Sequence, residues 1–249
     1  RDNLTWTLDS DGLLTISGEG EMYNALDNTS VKWNSYINQI KSVKIEEGVT
    51  SIGKYAFSYC SNLKQIDLPE GITSIGEDAF FNCRGLMQIG LSSEITSIGN
   101  GAFEGCKSLT QIDLPAGVTS IGYAVFRNCT ALTQIDLPAG VKNIDTSTFS
   151  GCTSLTQIGL PAEVGWIGNY AFSGCTSLVQ VNLPESVTGI SFNAFSGCTS
   201  LKQISLSENL TEIDSFAFFK CTSLTQINLP ESVTSIGIGV FSGCTSLTQ

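Results

Sequence analysis

The chain has 249 residues, 41% of them hydrophobic and only 14% charged, which describes a folded protein with a sparsely charged surface. Its net charge of −11 repels phosphate backbones and anionic bilayers, so nucleic acid and bare membrane surfaces are poor candidates as partners, and neither nucleic-acid binding nor membrane insertion is expected. Histidine is absent, which removes the commonest general base, the commonest zinc ligand and the Ser-His and Cys-His dyads, and no apolar run approaches the length of a membrane span.

Residue 1 is Arg and no secretory signal follows it, so the chain is expected to be a processed or excised piece of a longer protein. Residues 1–48 are predicted to form an N-terminal cap. LTWTL (Leu4 to Leu8) and LLTIS (Leu13 to Ser17) flank the turn signal DSDG, which predicts a β-hairpin. IKSVKIEEG, from Ile40 to Gly48, has the spacing of a strand with one buried face, placing Ile40, Val43 and Ile45 inward. Just before it, Trp33, Tyr36 and Ile37 are expected to seal the first coil with bulky side chains.

From 49 to 249 the chain repeats. The nine cysteines, from Cys60 through Cys83 and onward to Cys244, recur at intervals of 23 residues without one insertion. Glutamines from Gln65 to Gln249 make a second column, and all six prolines share a third, which Ser92 and Ser207 complete. A fixed period of this length predicts a solenoid of nine repeats, the last one incomplete, in the length range of leucine-rich repeats. One coil, Val118 to Gly140, reads VTSIGYAVFRNCTALTQIDLPAG. In LTQIDLP, Ile135 and Leu137 alternate with Gln134 and Asp136, so this segment is a strand, stacked into one parallel concave sheet. Phe126 and Cys129 are three apart and Val125 and Cys129 four apart, which predicts a short helical turn. Gly or Asn before most cysteines suits a left-handed residue closing that turn, and Pro after the strand ends the pairing. VTSI supplies a second short extended segment. At about 4.8 Å per stacked strand, nine coils make a rod of roughly 40 Å. No C-terminal cap is legible, and Gln249 stops one residue before the expected Ile, so the native protein is expected to continue.

The columns carry the candidate chemistry. A 22-residue gap between cysteines without histidine does not supply convergent metal ligands, and no base stands ready to activate a thiol. The cysteines are therefore expected to be free, buried, apolar filler, and neither a metal nor a cofactor is expected. The glutamines lie on the outward face of the concave strands. They read either as an amide ladder or as a polar binding strip, of which Gln111, Gln134 and Gln157 are the central members. Two residues on, Asp113 and Asp136 fall on adjacent strands. Such a pair suggests a glycosidase dyad or half a calcium site, but solvated surface acids are the simpler reading. Trp166 stands where most copies have Ser. It reads equally as a partner-binding anchor and as packing between turns.

The unit I/V-T-S-I-G-x-x-A-F-x-G-C-x-S-L-x-x-I-x-L-P resembles the BspA-like leucine-rich repeat family, and NLTWTLDSDGLLTISGEGEM is similar to the lead-in segment of such proteins. This resemblance implies a leucine-rich repeat solenoid in a bacterial surface or secreted protein. It also implies an association with adhesion to host or matrix proteins and to other cells. The first reading is a binding module that presents its concave face to a protein or a glycan, non-catalytic because histidine and a convergent nucleophile are missing. The alternatives are a structural spacer that holds another module away from the cell wall and, third, an enzyme.

Overall fold

A computed structural model describes residues 3–248. Leu4–Leu8 and Leu13–Gly18 form the predicted antiparallel hairpin, with Leu8 opposite Leu14. Its turn closes because one Asp9 carboxylate oxygen accepts the amides of Asp11 and Leu13, each at 2.9 Å, while Gly12 takes φ +89°. Leu13–Gly18 then pairs in parallel with Ser42–Ile45, which joins the hairpin to the strand of the first coil.

Beyond it the coils stack in register at the 23-residue period. The extended VTSI segments form two five-stranded parallel sheets. One runs from Gly20–Glu21 and Val49–Ile52 to Ser120–Ile121, the other from Asn143–Ile144 to Ser235–Ile236. The concave strands are parallel as predicted, but they pair two by two instead of forming one continuous sheet. Gln65–Asp67 pairs with Gln88–Gly90, Gln134–Asp136 with Gln157–Gly159, and Gln180–Asn182 with Gln203–Ser205. Side-chain volume and charge account for part of this pattern. The Asp67 and Asp136 carboxylates lie over Gly90 and Gly159, where a Cβ would meet them at 2.5 and 2.8 Å. Asp113 faces Asp136 instead, a like-charge neighbour that disfavours pairing, and residues 111–113 carry no strand.

The predicted helical turn is a run of single hydrogen-bonded turns. Two left-handed residues four apart interrupt each right-handed stretch, as at Asp78 and Asn82 or Gly101 and Gly105. Amides then alternate in direction. Ser150 and Cys152 bond back three residues, while Phe149 and Gly151 donate to Ala171 and Ser173 of the next coil at 2.8 and 2.7 Å. The left-handed residue before Cys appears in every repeat, including Tyr59 and Lys220, where the sequence offers neither Gly nor Asn. Among the described residues the helical segments are two three-residue 3-10 turns, Asn28–Ser30 and Asn34–Tyr36.

The core is columnar. Phe57 to Phe241 stack ring on ring, with centroids 5.1–5.8 Å apart. Cys60 to Cys221 are fully buried and unpaired, and Cys244 is partly exposed. From Cys83 onward each thiol donates to the carbonyl of the Phe 26 residues before it, at 2.9–3.2 Å. At the N-terminal end Trp33 takes the place of a Phe. It stacks on Phe57 at 5.9 Å, donates its indole N–H to the Ala56 carbonyl at 2.7 Å, and is covered in turn by Trp6. In the last coil Ile236 and Ile238 stand exposed.

Candidate interaction surfaces

Outward-facing residues on the concave strands alternate with buried Ile or Val, so the backbone period alone places the Gln column and the position two after it in solvent. Gln111, Asp113, Gln134, Asp136 and Gln157 are all exposed and lie on three successive coils of this wall. Gln134 pairs in register with Gln157, whose side-chain amide donates to Gln134 Oε1 at 3.3 Å. That is one rung of the expected amide ladder. Gln65 and Gln180 instead donate to Asp67 Oδ2 and Asn182 Oδ1 of their own strands, each at 3.1 Å. Gln249 lies outside the described residues. Where residues 111–113 fail to pair with Gln134–Asp136, a groove of 140 Å³ opens, lined by both glutamines, both aspartates, Ile112, Leu114 and Ile135. It offers hydrogen-bond acceptors and amide donors to a polar ligand. Among the described residues no group of three or more His, Cys, Asp or Glu is disposed to hold a metal ion.

Trp166 does not join these residues. It lies in the other sheet, between Asn143 and Gly189. Its ring covers Gly189 so closely that a Cβ there would meet indole carbons at 2.0–2.6 Å, and its N–H donates to Ser191 Oγ at 2.6 Å. The ring is thereby fixed, yet 37% of the residue remains exposed. Gly189 and Ser191 are themselves departures, standing where most copies have Ser and Gly. Three exceptions in two adjacent coils form one fitted unit, a signal available in the sequence but missed when exceptions are read singly.

Sequence reading also missed a charged network on the turn face. Lys54 pairs with Glu77 at 2.8 Å and Arg127 with Glu104 at 2.5 Å. Asp78, beside them in left-handed backbone, is half-buried. Burial above all, then Glu77 and Glu104, push its carboxyl up to about 6 against the opposing pull of Arg127. Farther along the same face Tyr170, Phe192 and Phe216 meet edge to face at 5.4 and 6.0 Å, so Phe192 and Phe216 are packing between turns.

A third element invisible from composition is the hydroxyl ladder. Thr133, Thr156, Thr176, Thr199 and Thr222 are among the threonines whose Oγ1 donates to the backbone carbonyl 23 residues earlier, at 3.1–3.4 Å. Recurrence of an exposed letter therefore has a structural cause.

The profile of the BspA type leucine rich repeat region, six copies long, matches residues 32–156 and 143–249. No curated protein matches the chain. Among solved structures, a T. pallidum leucine rich repeat protein is 26% identical, with 99% of this chain and 89% of that one covered and a TM-score of 0.52. A leucine-rich repeat protein from Bacteroides ovatus ATCC 8483 is 21% identical, covering 100% and 92%, with a TM-score of 0.50. The pneumococcal vaccine antigen PcpA is 18% identical, covering 100% and 79%, with a TM-score of 0.55. The last two likenesses concern the fold alone. With the repeat profile matched over most of its length, on a solenoid whose coils recur every 23 residues, the chain belongs to the BspA type leucine rich repeat family.

Proposed function

We propose that this chain is a non-catalytic binding module of a bacterial cell-surface protein, presenting its concave wall to a protein or glycan. The observation that carries this reading is the groove at Gln111, Asp113, Gln134 and Asp136. It is a polar site between two strands that do not pair, but the backbone flanking it is bonded coil to coil, as from Thr133 to Thr110 and from Gly105 to Arg127, which limits the conformational entropy lost when a partner binds. The net charge disfavours nucleic acid and anionic lipid, and no helix of the described residues is long and apolar enough to cross a membrane. Nine free cysteines are compatible with a place outside the cell because eight of them are buried. Burial raises the thiols of Cys60, Cys152 and Cys198 to about 12, so they persist unoxidised without pairing.

The test is binding of the chain to arrayed glycans and matrix proteins, with Gln134→Ala/Asp136→Ala beside the parent. The reading predicts a partner whose binding the double variant loses. A partner bound equally by both chains contradicts the role of the groove.

The spacer reading is favoured by a separate observation: exposed threonines recur because they are rungs, so the likeness of the coils needs no ligand to explain it. It predicts no partner for the isolated chain, together with lost function when the array is deleted from a larger protein.

A further inference from the structure

The Trp166 unit has a chemistry of its own. The indole N–H is already committed to Ser191, so the ring has no donor left for a partner and offers only its exposed face. That face is electron-rich and attracts cations. In register, the column runs Trp166, Gly189, Glu212, and the indole lies over the glycine, toward the carboxylate. Glu212 is exposed, and Asp214 follows two residues on. The three extended segments concerned, 164–168, 187–191 and 210–214, contain no Lys or Arg, in a chain of net charge −11. On the other side of Trp166 the segment 141–145 carries Lys142, which pairs with Glu163 at 3.7 Å. A held aromatic face with Glu212 beyond it is complementary to a guanidinium or ammonium group. Such a group can lie on the ring while its N–H donors reach Glu212.

The geometry points to Trp166 and Glu212 as a second docking surface, on the sheet away from the concave groove, for a basic segment of a partner protein: an arginine or lysine side chain stacks on Trp166 and pairs with Glu212. This rests on the binding-module reading and assigns it a partner chemistry. Negative charge over the whole molecule steers such a segment inward, and the effect weakens with salt.

Calorimetric titration of the full chain with an arginine-rich hexapeptide tests it. A citrulline analogue of the same shape and no charge, and neutral oligosaccharides, serve as comparison ligands. The expected result is binding of the arginine peptide and not the citrulline one. Trp166→Ala should weaken it about fivefold, Trp166→Phe less, and Glu212→Gln by a similar factor. Because Glu212 is exposed and Glu212→Gln keeps the fold, its loss of affinity distinguishes a lost contact from a misfolded Trp166→Ala chain. Equal affinity in all four chains would mean diffuse attraction only and overturn the proposal. Oligosaccharide binding that depends on Trp166, with no arginine-peptide binding, would overturn it too. Gln134→Ala/Asp136→Ala should leave this peptide's binding unchanged, so failure here and failure of the concave groove are separate results.

Discussion

The carbonyl of Phe149 accepts two hydrogen bonds, from the amide of Cys152 in its own coil and the thiol of Cys175 in the next, each at 3.1 Å. A small apolar residue with one weak donor meets both demands of this position, which explains cysteine better than filler alone does. The filler role was legible, since a metal or disulfide needs convergent partners that the spacing denies. The carbonyl contact was not, because periodicity names the residue that recurs and not the atom it meets. The left-handed position before each cysteine was legible from Gly and Asn. Its twin four residues earlier was not, because Tyr55, Ala124 and Phe216 occupy it as well as Gly101. At Gly174, φ is +75° and a Cβ would make only ordinary van der Waals contact, the nearest atom being 3.7 Å away. Gly174→Ala should therefore lower stability by about 1–2 kcal/mol through backbone conformation alone, with Gly174→Asn milder, as measured by denaturant unfolding. Asp78 makes a pH prediction. Its carboxyl holds a proton up to about 6 in the folded chain, against 3.8 as the ordinary value. The native state thus binds more protons than the unfolded state between those values, and stability falls as pH rises through that window. Asp78→Asn, which also tolerates the left-handed backbone, should raise Tm at pH 8 and leave it unchanged at pH 3.5. An equal Tm shift at both pH values contradicts this account.

At the level of elements, strands and turns differ in how far the sequence foretold them. Alternation in LTQIDLP and its copies located the concave strands that form but marks residues 111–113 and 226–228 equally, where none forms, and the hairpin followed from DSDG. The helical turn did not form, because Phe and Cys three apart are equally compatible with successive tight turns, and the backbone chose those that donate alternate amides to the next coil. Pairing two by two was beyond the repeat pattern, because it depends on which small or charged residue faces which across coils. Trp33 shows a prediction that held. It closes the Phe column by stacking and by its bond to Ala56. Trp33→Ala should cost about 3–5 kcal/mol, since it removes a buried aromatic and leaves a carbonyl short of a donor. In hydrogen exchange, the coil at Phe57 should lose protection before the coil at Phe149. Uniform loss along the array would contradict a sealing role.

At the scale of the whole molecule, the buried columns and the exposed threonines have one explanation: each is a ladder along the stack, of rings, thiols or hydroxyls, whereas the glutamines join along the stack at Gln134 and Gln157 and bond within their own strands at Gln65 and Gln180. This changes where function is sought. The recurring Phe, Cys and Thr are accounted for by their rungs, and the individuality of the surface lies in departures from the repeat, such as Trp166 with Gly189 and Ser191, and in the position two after Gln, which varies from coil to coil and places Asp113 beside Asp136. The concave candidates were legible because the strand period dictates their exposure. The Trp166 unit was only half legible, since its two partners lie 23 and 25 residues away. All of this depends on in-register stacking with the cysteine column inside it, and counting thiols tests that most directly. Without reductant, a thiol-labelling reagent at pH 8 should modify at most Cys244 in the folded chain. That thiol is only partly buried, whereas burial raises Cys60, Cys152 and Cys198 to about 12. In denaturant, nine thiols should react. Several thiols labelled in the folded chain, or fewer than nine on unfolding, would contradict the stack described above.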